Sequence, residues 1–187
     1  MNLAAIEDLT RQLLIEVGEN PDRAGIKETP ARVAKAHAEL LSGYAMDPQK
    51  VLKAFEVEDY TGGGLVVVHD VPFFSLCEHH WLPFRGKVDV GIQYAAGQPI
   101  IGLSKVGRLV DVFARRLQVQ ERLTGQIAEA LFGGLKAQGV VVRIRADEHL
   151  CIAMRGVCKP GTQTTTQVKL GSFTTDAALL AGFNSLV

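Results

Sequence analysis

Residues 74–81 have the sequence Phe74-Ser75-Leu76-Cys77-Glu78-His79-His80-Trp81. The rest of the chain can be interpreted from this stretch outwards. Positions 77–80 carry a thiol, a carboxylate and two imidazoles, a density of metal-binding and proton-transferring groups that core packing does not require. Cys77 and His80 have C-x-x-H spacing, which lets one tight turn aim both side chains at a single ion. The stretch therefore predicts half of a metal site, with the other half contributed from elsewhere in the chain.

The further ligand has few possible sources, because the chain has three cysteines and five histidines. His149-Leu150-Cys151 is the one other place in the sequence where the two types occur together, and alternate residues of a strand share a face. Two cysteines and one histidine would leave a tetrahedral ion one position open for water, as in catalytic zinc sites. A fourth protein ligand, either His79 or His149, would instead make the site structural. A lone Cys77 would be a small buried hydrophobe, and the second cluster outweighs that interpretation.

The composition argues against several classes of partner. With 20 basic and 20 acidic residues the formal net charge is zero, so no global charge draws the chain to nucleic acid or to an anionic membrane. The 187 residues suffice to bury the core of one domain. Residues 1–8 lack the pattern of a secretory signal, so we expect a cytoplasmic location, where cysteines are thiols or metal ligands rather than disulfides.

Residues 1–64 are expected to form a helical segment. Apolar residues at helical spacing predict a first helix over residues 2–17. Thr29 is expected to be the N-cap of a second helix, with proline at the first helical position, running to about Leu41. A short third helix is expected after Pro48.

From residue 65 the pattern changes to short β-branched and alternating runs, which indicate strands, separated by runs at helical spacing. The expected elements are, in order, strands at 65–71 and 86–94, helices from Ser104 to Leu117 and from near Gln120 to Gly139, strands at 140–155 and 164–170, and a closing helix in the tail. The order ββααββ is typical of an α+β fold in which an antiparallel four-stranded sheet carries two helices on one face.

The strand expected over residues 140–155 carries the second half of the candidate site. Its apolar residues fall almost all at even positions and its polar residues mostly at odd ones. An unbroken strand would therefore send His149, Cys151 and Arg155 to one face.

Two further pairs are candidates for binding a substrate. Lys105 and Arg108 lie one helical turn apart just after Ser104, where backbone N–H groups also point outward, so they could hold an anion. For two basic residues alone a solvated helix face is the more common explanation, and Arg155 shifts the balance towards a site. Gln120-Glu121 place an amide beside a carboxylate, which could bind the amino and ring N–H groups of a heterocycle, although they equally suit an ordinary helix start.

Five motifs, in this order, resemble the GTP cyclohydrolase I family over most of the chain. They are Gly18-Glu19-Asn20-Pro21-Asp22-Arg23-Ala24-Gly25 with Glu28-Thr29-Pro30-Ala31-Arg32, then Phe74-Ser75-Leu76-Cys77-Glu78-His79-His80, then Ile101-Gly102-Leu103-Ser104-Lys105 with Arg108, then Arg115-Arg116-Leu117-Gln118-Val119-Gln120-Glu121-Arg122-Leu123-Thr124, and finally His149-Leu150-Cys151-Ile152-Ala153-Met154-Arg155-Gly156-Val157.

The resemblance implies a zinc-dependent hydrolase that opens the imidazole ring of GTP at C8, expels formate and rearranges the product to 7,8-dihydroneopterin triphosphate, the first step of tetrahydrofolate and pterin biosynthesis. It assigns Zn²⁺ to Cys77, His80 and Cys151. By the same resemblance, His79 and His149 transfer protons, Ser104 contacts the ribose, Gln120 and Glu121 bind guanine, and Lys105, Arg108 and Arg155 hold the triphosphate.

The resemblance also implies the tunnelling fold, with residues 65–187 as the catalytic domain and with sites completed by neighbouring subunits of a homodecamer made of two pentamers. Two alternatives remain beside it. One is a tunnelling-fold relative that acts on another purine or pterin, and the other is a zinc-stabilised oligomer that binds nucleotides without catalysis.

Overall fold

The computed structural model describes residues 1–56, 58 and 62–187, which divide into two compact units, 1–42 and 43–187. The expected division between a helical segment, 1–64, and a catalytic domain, 65–187, stays a prediction. Within the described part of the chain, no helix is both long and apolar enough to cross a bilayer.

The first unit is a pair of helices, α1 (Leu3–Glu16) and α2 (Thr29–Leu40), packed against each other. Asn2 caps α1, because its side chain accepts a hydrogen bond from the backbone N–H of Ala5 at 3.1 Å. α2 follows Glu28 as N-cap, so Thr29 is its first helical residue and the predicted Thr29 cap is wrong. Pro30 still lies in the first turn, where a missing N–H has no helical partner to lose.

The remaining elements follow in chain order. They are a 3-10 turn (Ser42–Ala45), α3 (Pro48–Val51), β1 (Ala54–Phe55), β2 (Gly64–Cys77), β3 (Pro83–Tyr94), β4 (Ile100–Ile101), α4 (Leu103–Ala114), β5 (Leu117–Gln118), α5 (Gln120–Leu135), β6 (Gly139–His149), α6 (Leu150–Ala153), β7 (Thr164–Gly171), a second 3-10 turn (Ser172–Thr174) and α7 (Ala177–Asn184).

The main sheet has the strand order β5-β2-β3-β6-β7, and β1 and β4 form a separate pair. The pairs β2-β3, β3-β6 and β6-β7 are all antiparallel, and α4 and α5 lie in the chain between β3 and β6. The expected ββααββ, α+β architecture is therefore confirmed. β5 was not expected, and it pairs parallel with β2, opposite Leu76 and Cys77, so Leu117 belongs to a strand instead of the preceding helix.

The core lies between one face of the sheet and the helices α4 and α5, because every second residue of β3 and β6 points to that side. Its fully buried members include Val88, Val90, Ile92, Leu109, Leu123, Ile127, Val142 and Ile144. On the other face, Phe183 of α7 forms a smaller cluster with Val141 and Phe173. The apolar face that packs against α4 and α5 thus forms the main core, and the ends of the strands remain available for a site.

The strand expected over residues 140–155 ends early, since β6 stops at His149 and the next four residues form α6. His149 pairs with Phe84, the second residue of β3, and the pairing of β6 with β7 stops before His149. An extended backbone beyond this point would find no partner within the sheet, whereas a helical turn forms its own hydrogen bonds. The prediction that His149 and Cys151 share one strand face is therefore wrong.

The start of α4 also differs from the prediction. Its N-cap is Gly102, so Ser104 lies inside the first turn and does not cap the helix. The backbone of Gly102 is extended, with φ −64° and ψ 126°, and a glycine has no side chain to accept the free N–H groups. Ser104 and Arg108 are exposed and Lys105 is half-buried.

Candidate functional site

A tight turn after β2 shapes the cluster that the sequence identified. The carbonyl of Cys77 accepts hydrogen bonds from the N–H groups of His80 at 3.3 Å and Trp81 at 2.8 Å, and Cys77 donates its own N–H to Leu82 at 2.9 Å. Trp81 adopts a positive φ of 57°, which lets the chain reverse into β3. The turn brings Nδ1 of His79 and Nδ1 of His80 to 3.8 and 3.9 Å from the Cys77 sulfur.

Cys151 completes a group of three potential metal ligands. The ligand atoms of Cys77, His80 and Cys151 all lie within 4.8 Å of one another. Two ligands that each bind one zinc ion at 2.0–2.3 Å are separated by at most about 4.6 Å, so the three side chains fit a shared ion after small adjustments. His79 is as near to Cys77 as His80 is, yet among the described residues the group does not extend to it. The two histidines therefore differ in their position relative to Cys151, since His80 belongs to the group with that residue and His79 does not.

The environment of Cys151 also suits a metal ion. Burial raises the pKa of the Cys151 thiol, and the neighbouring Cys77 sulfur raises it further. The two thiols remain free cysteines. A divalent cation would offset the repulsion between two adjacent thiolates, so the donor set fits the group that the resemblance implies. The fold presents Cys151 on the helical turn α6, not on the strand face that the sequence indicated.

The turn that carries both histidines is attached to the start of α5. The Arg122 guanidinium bonds the Glu78 carboxylate, and its Nε donates to Oε1 of Gln118 at 3.0 Å. Glu78 donates its backbone N–H to the carbonyl of Gln118 at 3.0 Å. These contacts hold the turn against the segment that leads into Gln120 and Glu121.

A pocket of about 240 Å³ opens beside the metal-ligand group. Cys77 and Cys151 form part of its wall, and six of the predicted site residues meet here. The lining consists of Cys77, His79, Phe84, Gln118, Val119, Gln120, Glu121, His149, Cys151, Ile152 and Thr164. The fold therefore joins two of the three candidate metal ligands, both candidate proton-transfer histidines and the Gln120-Glu121 pair around one space.

His149 is held on two sides within this pocket. Its ring stacks on that of Phe84, with centroids 4.8 Å apart and planes 6° apart. Its Nε2 lies 2.8 Å from Oε1 of Gln120. Burial lowers the pKa of His149, and the nearby negative charge of Glu121 raises it in part. The ring is thus kept in one orientation and favours the neutral form.

Three predicted substrate residues lie away from this pocket. Among the residues that the structure describes, its walls do not include Ser104, Lys105 or Arg108. These residues occupy the first turns of α4, where Gly107 lies beside Val71. Val71 precedes Cys77 by six residues in β2, a separation on the order of 20 Å at about 3.3 Å per residue. Because α4 lies beside Val71, its start is at a similar distance from the metal-ligand group.

Arg155 lies closer to the pocket. It follows α6 on an exposed segment, and its positive charge lowers the pKa of Cys151, against the larger opposing effects. The structure therefore brings Arg155 to the edge of the metal-ligand group, whereas Lys105 and Arg108 lie on α4.

Sequence reasoning missed Phe84, Gln118 and Arg122, which orient the functional side chains. Each contact joins residues far apart in the chain, as in the pairing of Phe84 with His149 and of Glu78 with Arg122. Their residue types are ordinary at their positions, since an apolar residue in a strand or an arginine in a helix has no distinctive pattern. Strand register decides these contacts, and register is not visible in local periodicity.

Comparison with known proteins gives a consistent result. The family model described as GTP cyclohydrolase I matches residues 6–187. A protein named GTP cyclohydrolase 1 from Corynebacterium aurimucosum is 50% identical over 181 residues, which cover 97% of this chain and 91% of the relative. Proteins of the same name from Mycobacterium leprae and Dehalococcoides mccartyi are 51% and 44% identical, over 92% and 98% of this chain and over 82% and 95% of those relatives.

Among solved structures, the apo crystal structure of an archaeosine synthase QueF-like protein aligns with a TM-score of 0.48 at 14% identity, over 59% of this chain and 97% of that one. At this level of similarity the family assignment rests on the sequence relatives.

Proposed function

The chain belongs to the GTP cyclohydrolase I family, and from that premise we propose that it is a zinc-dependent enzyme that hydrolyses GTP at C8, releases formate and forms 7,8-dihydroneopterin triphosphate. The observation that carries the proposal is the grouping of Cys77, His80 and Cys151 beside a pocket that Cys77 and Cys151 line together with His79, His149 and Glu121. A metal ligand set, two proton-transfer groups and a carboxylate around one space are what hydrolysis of a purine ring requires.

Cys77, His80 and Cys151 would hold the zinc ion and leave one coordination position open. A zinc ion bound there would lower the pKa of a water molecule towards about 7 and would so supply hydroxide at neutral pH. The turn at residues 77–81 places Cys77 and His80, and α6 places Cys151, so the two halves of the site meet only in the tertiary fold.

His79 and His149 are the proposed proton-transfer residues, because both line the pocket beside the metal ligands. Burial lowers the pKa of His149 and so favours the neutral ring, which can accept a proton from the purine. His79 is exposed and lies on the same turn as His80, from which it can reach a nitrogen of the opening imidazole ring.

The remaining assignments concern substrate binding. Glu121 lies in the first turn of α5 at the pocket, where its carboxylate can accept hydrogen bonds from the N1–H and amino groups of guanine. Gln120 adjoins it. Lys105, Arg108 and Arg155 are proposed to hold the triphosphate by charge-assisted hydrogen bonds, and Ser104 is proposed to contact the ribose.

We propose that the sites are completed between copies of this chain, in a homodecamer of two pentamers. The separation of α4 from the pocket supports this, because Lys105 cannot serve the pocket of its own chain across on the order of 20 Å. Exposed apolar side chains also lie near both parts, with Leu103 at the start of α4 and Trp81 and Met154 near the metal ligands exposed by 65%, 53% and 63%. A second copy would bury them.

Incubation of the zinc-loaded protein with GTP tests the proposed reaction. We expect a fluorescent pterin product, after oxidation and dephosphorylation, together with one equivalent of formate. Formate release would separate C8 hydrolysis from simple loss of phosphate. A product from another purine or pterin, with none from GTP, would favour a different tunnelling-fold enzyme. Nucleotide binding without any turnover would favour a non-catalytic oligomer, and either result would overturn the proposal.

A further inference from the structure

The side chain of Gln120 is enclosed by the fold, with 2% of its surface exposed. Its Nε2 lies 3.1 Å from the carbonyl of Ile144, 3.0 Å from the carbonyl of Thr164 and 3.2 Å from Oγ1 of Thr166. Carbonyl oxygens only accept hydrogen bonds, so the amino group of the amide must face them and its oxygen must face the other way. The orientation of the amide therefore follows from its two backbone partners.

The amide oxygen in turn determines the state of His149. It lies 2.8 Å from Nε2 of that ring and can only accept a hydrogen bond. In a neutral imidazole one nitrogen carries the hydrogen and the other a lone pair. Nε2 must then carry the hydrogen, which leaves the lone pair on Nδ1. The stacked ring of Phe84 holds the plane in which this lone pair points.

We infer that Gln120 is a positioning residue, which fixes His149 as the Nε2–H tautomer and makes Nδ1 the atom that exchanges a proton with the substrate. This inference rests on the proposed function of the pocket. Both N–H groups of Gln120 are already engaged with backbone carbonyls. Gln120 could donate to guanine only by leaving one of these carbonyls unpaired, so base recognition falls to Glu121.

Two variants separate positioning from guanine binding by steady-state kinetics of the zinc-loaded enzyme. Gln120→Met keeps the length of the side chain and removes all its hydrogen bonds, whereas Thr166→Val removes one contact of the same amide and leaves its bond to His149. We expect Gln120→Met to lower kcat on the order of 10–100-fold with KM for GTP unchanged, as for other partners that orient a functional imidazole. Thr166→Val should change kcat less than threefold. A rise in KM at unchanged kcat in Gln120→Met would overturn the inference.

The tautomer itself is measured by solid-state NMR on sedimented wild-type enzyme labelled with ¹⁵N-histidine. The His149 signals are identified by their loss in His149→Asn. We expect a protonated Nε2 and an unprotonated Nδ1 in the wild type, and a mixture of both tautomers in Gln120→Met. A protonated Nδ1 in the wild type would overturn the inference even if GTP is turned over normally. The expected tautomer in a protein that fails to release formate would instead contradict only the proposed function.

Discussion

The pocket at the Cys77 end of β2 and the start of α4 lie in the same unit of the chain, but their side chains are held in different ways. In the pocket, His149 is stacked on Phe84 and bonded to Gln120, and the turn at Glu78 is bonded to Arg122. At the start of α4 the described structure shows no side-chain cap, and Ser104 and Arg108 are exposed. One region is built by its own chain and the other is presented to solvent.

This difference indicates that the pocket and the start of α4 have different roles. Metal binding and proton transfer need side chains placed to within fractions of an ångström, and a single chain can provide that through its core. Phosphate binding needs positive charge and exposed N–H groups, which a helix start offers to whatever approaches it. We therefore expect the pocket to fail when its internal contacts are broken, and α4 to act on the pocket of another copy.

The largest expected effect comes from removing a metal ligand. His80→Ala should lose zinc and activity together, because it removes one of three protein ligands. His79→Ala is the matched control on the same turn, and it should keep near-stoichiometric zinc while turnover falls on the order of 10²–10⁴-fold. Metal analysis beside turnover decides between the two roles. Equal zinc loss in both variants would make His79 a ligand and contradict the open coordination position.

A mixing experiment tests whether the two regions serve each other across chains. His80→Ala and the double variant Lys105→Ala/Arg108→Ala should each be nearly inactive at low GTP. After denaturation and joint refolding in equal amounts, about a quarter of the sites should combine an intact pocket with an intact α4, and activity should recover accordingly.

The control for this mixture pairs His80→Ala with Glu121→Ala. His80 belongs to the metal-ligand group and Glu121 lines the adjoining pocket of the same chain, so no mixed site would be intact and activity should not return. If activity returned in the control but not in the first mixture, His80 and Glu121 would have to come from different chains, and α4 would have to serve the pocket of its own chain.

A smaller effect is expected for the phosphate contacts taken singly. Lys105→Ala should weaken GTP binding by about 1.5–3 kcal/mol, the range for a charge-assisted hydrogen bond. Guanosine lacks phosphates, so its binding should be unaffected. Calorimetric titration of both ligands with the zinc-loaded enzyme checks this, and an equal loss for guanosine would show that Lys105 acts on the fold or on the base.

The smallest expected effect concerns the bond between Glu78 and Arg122. Arg122→Met keeps the aliphatic part of the side chain and removes the ion pair. The two side chains are 33% and 43% exposed, so the loss in unfolding free energy should be about 0.2–1 kcal/mol. Denaturant unfolding with zinc saturating measures it. A loss above about 2 kcal/mol would mean that the bond supports the folding of the whole pocket.

Several features were predictable because they depend on residues close in sequence. Hydrophobic periodicity located the helix at Leu3–Glu16 and the strand at Thr164–Gly171. The order of elements then restricted the fold to an antiparallel sheet with two helices on one face. C-x-x-H spacing proposed Cys77 and His80 as partners, and the scarcity of cysteine and histidine directed attention to His149 and Cys151.

Contacts between distant segments were decided by the tertiary structure alone. Cys151 reaches the metal-ligand group because β6 runs out of partners at His149 and turns into α6. Strand pairing also places the amide of Gln120 against the carbonyls of Ile144 and Thr164, a contact that no local sequence pattern indicates. Periodicity reports which face of an element is apolar, but not which residue of another element will lie opposite it. Register and loop closure settle that only when the whole chain packs.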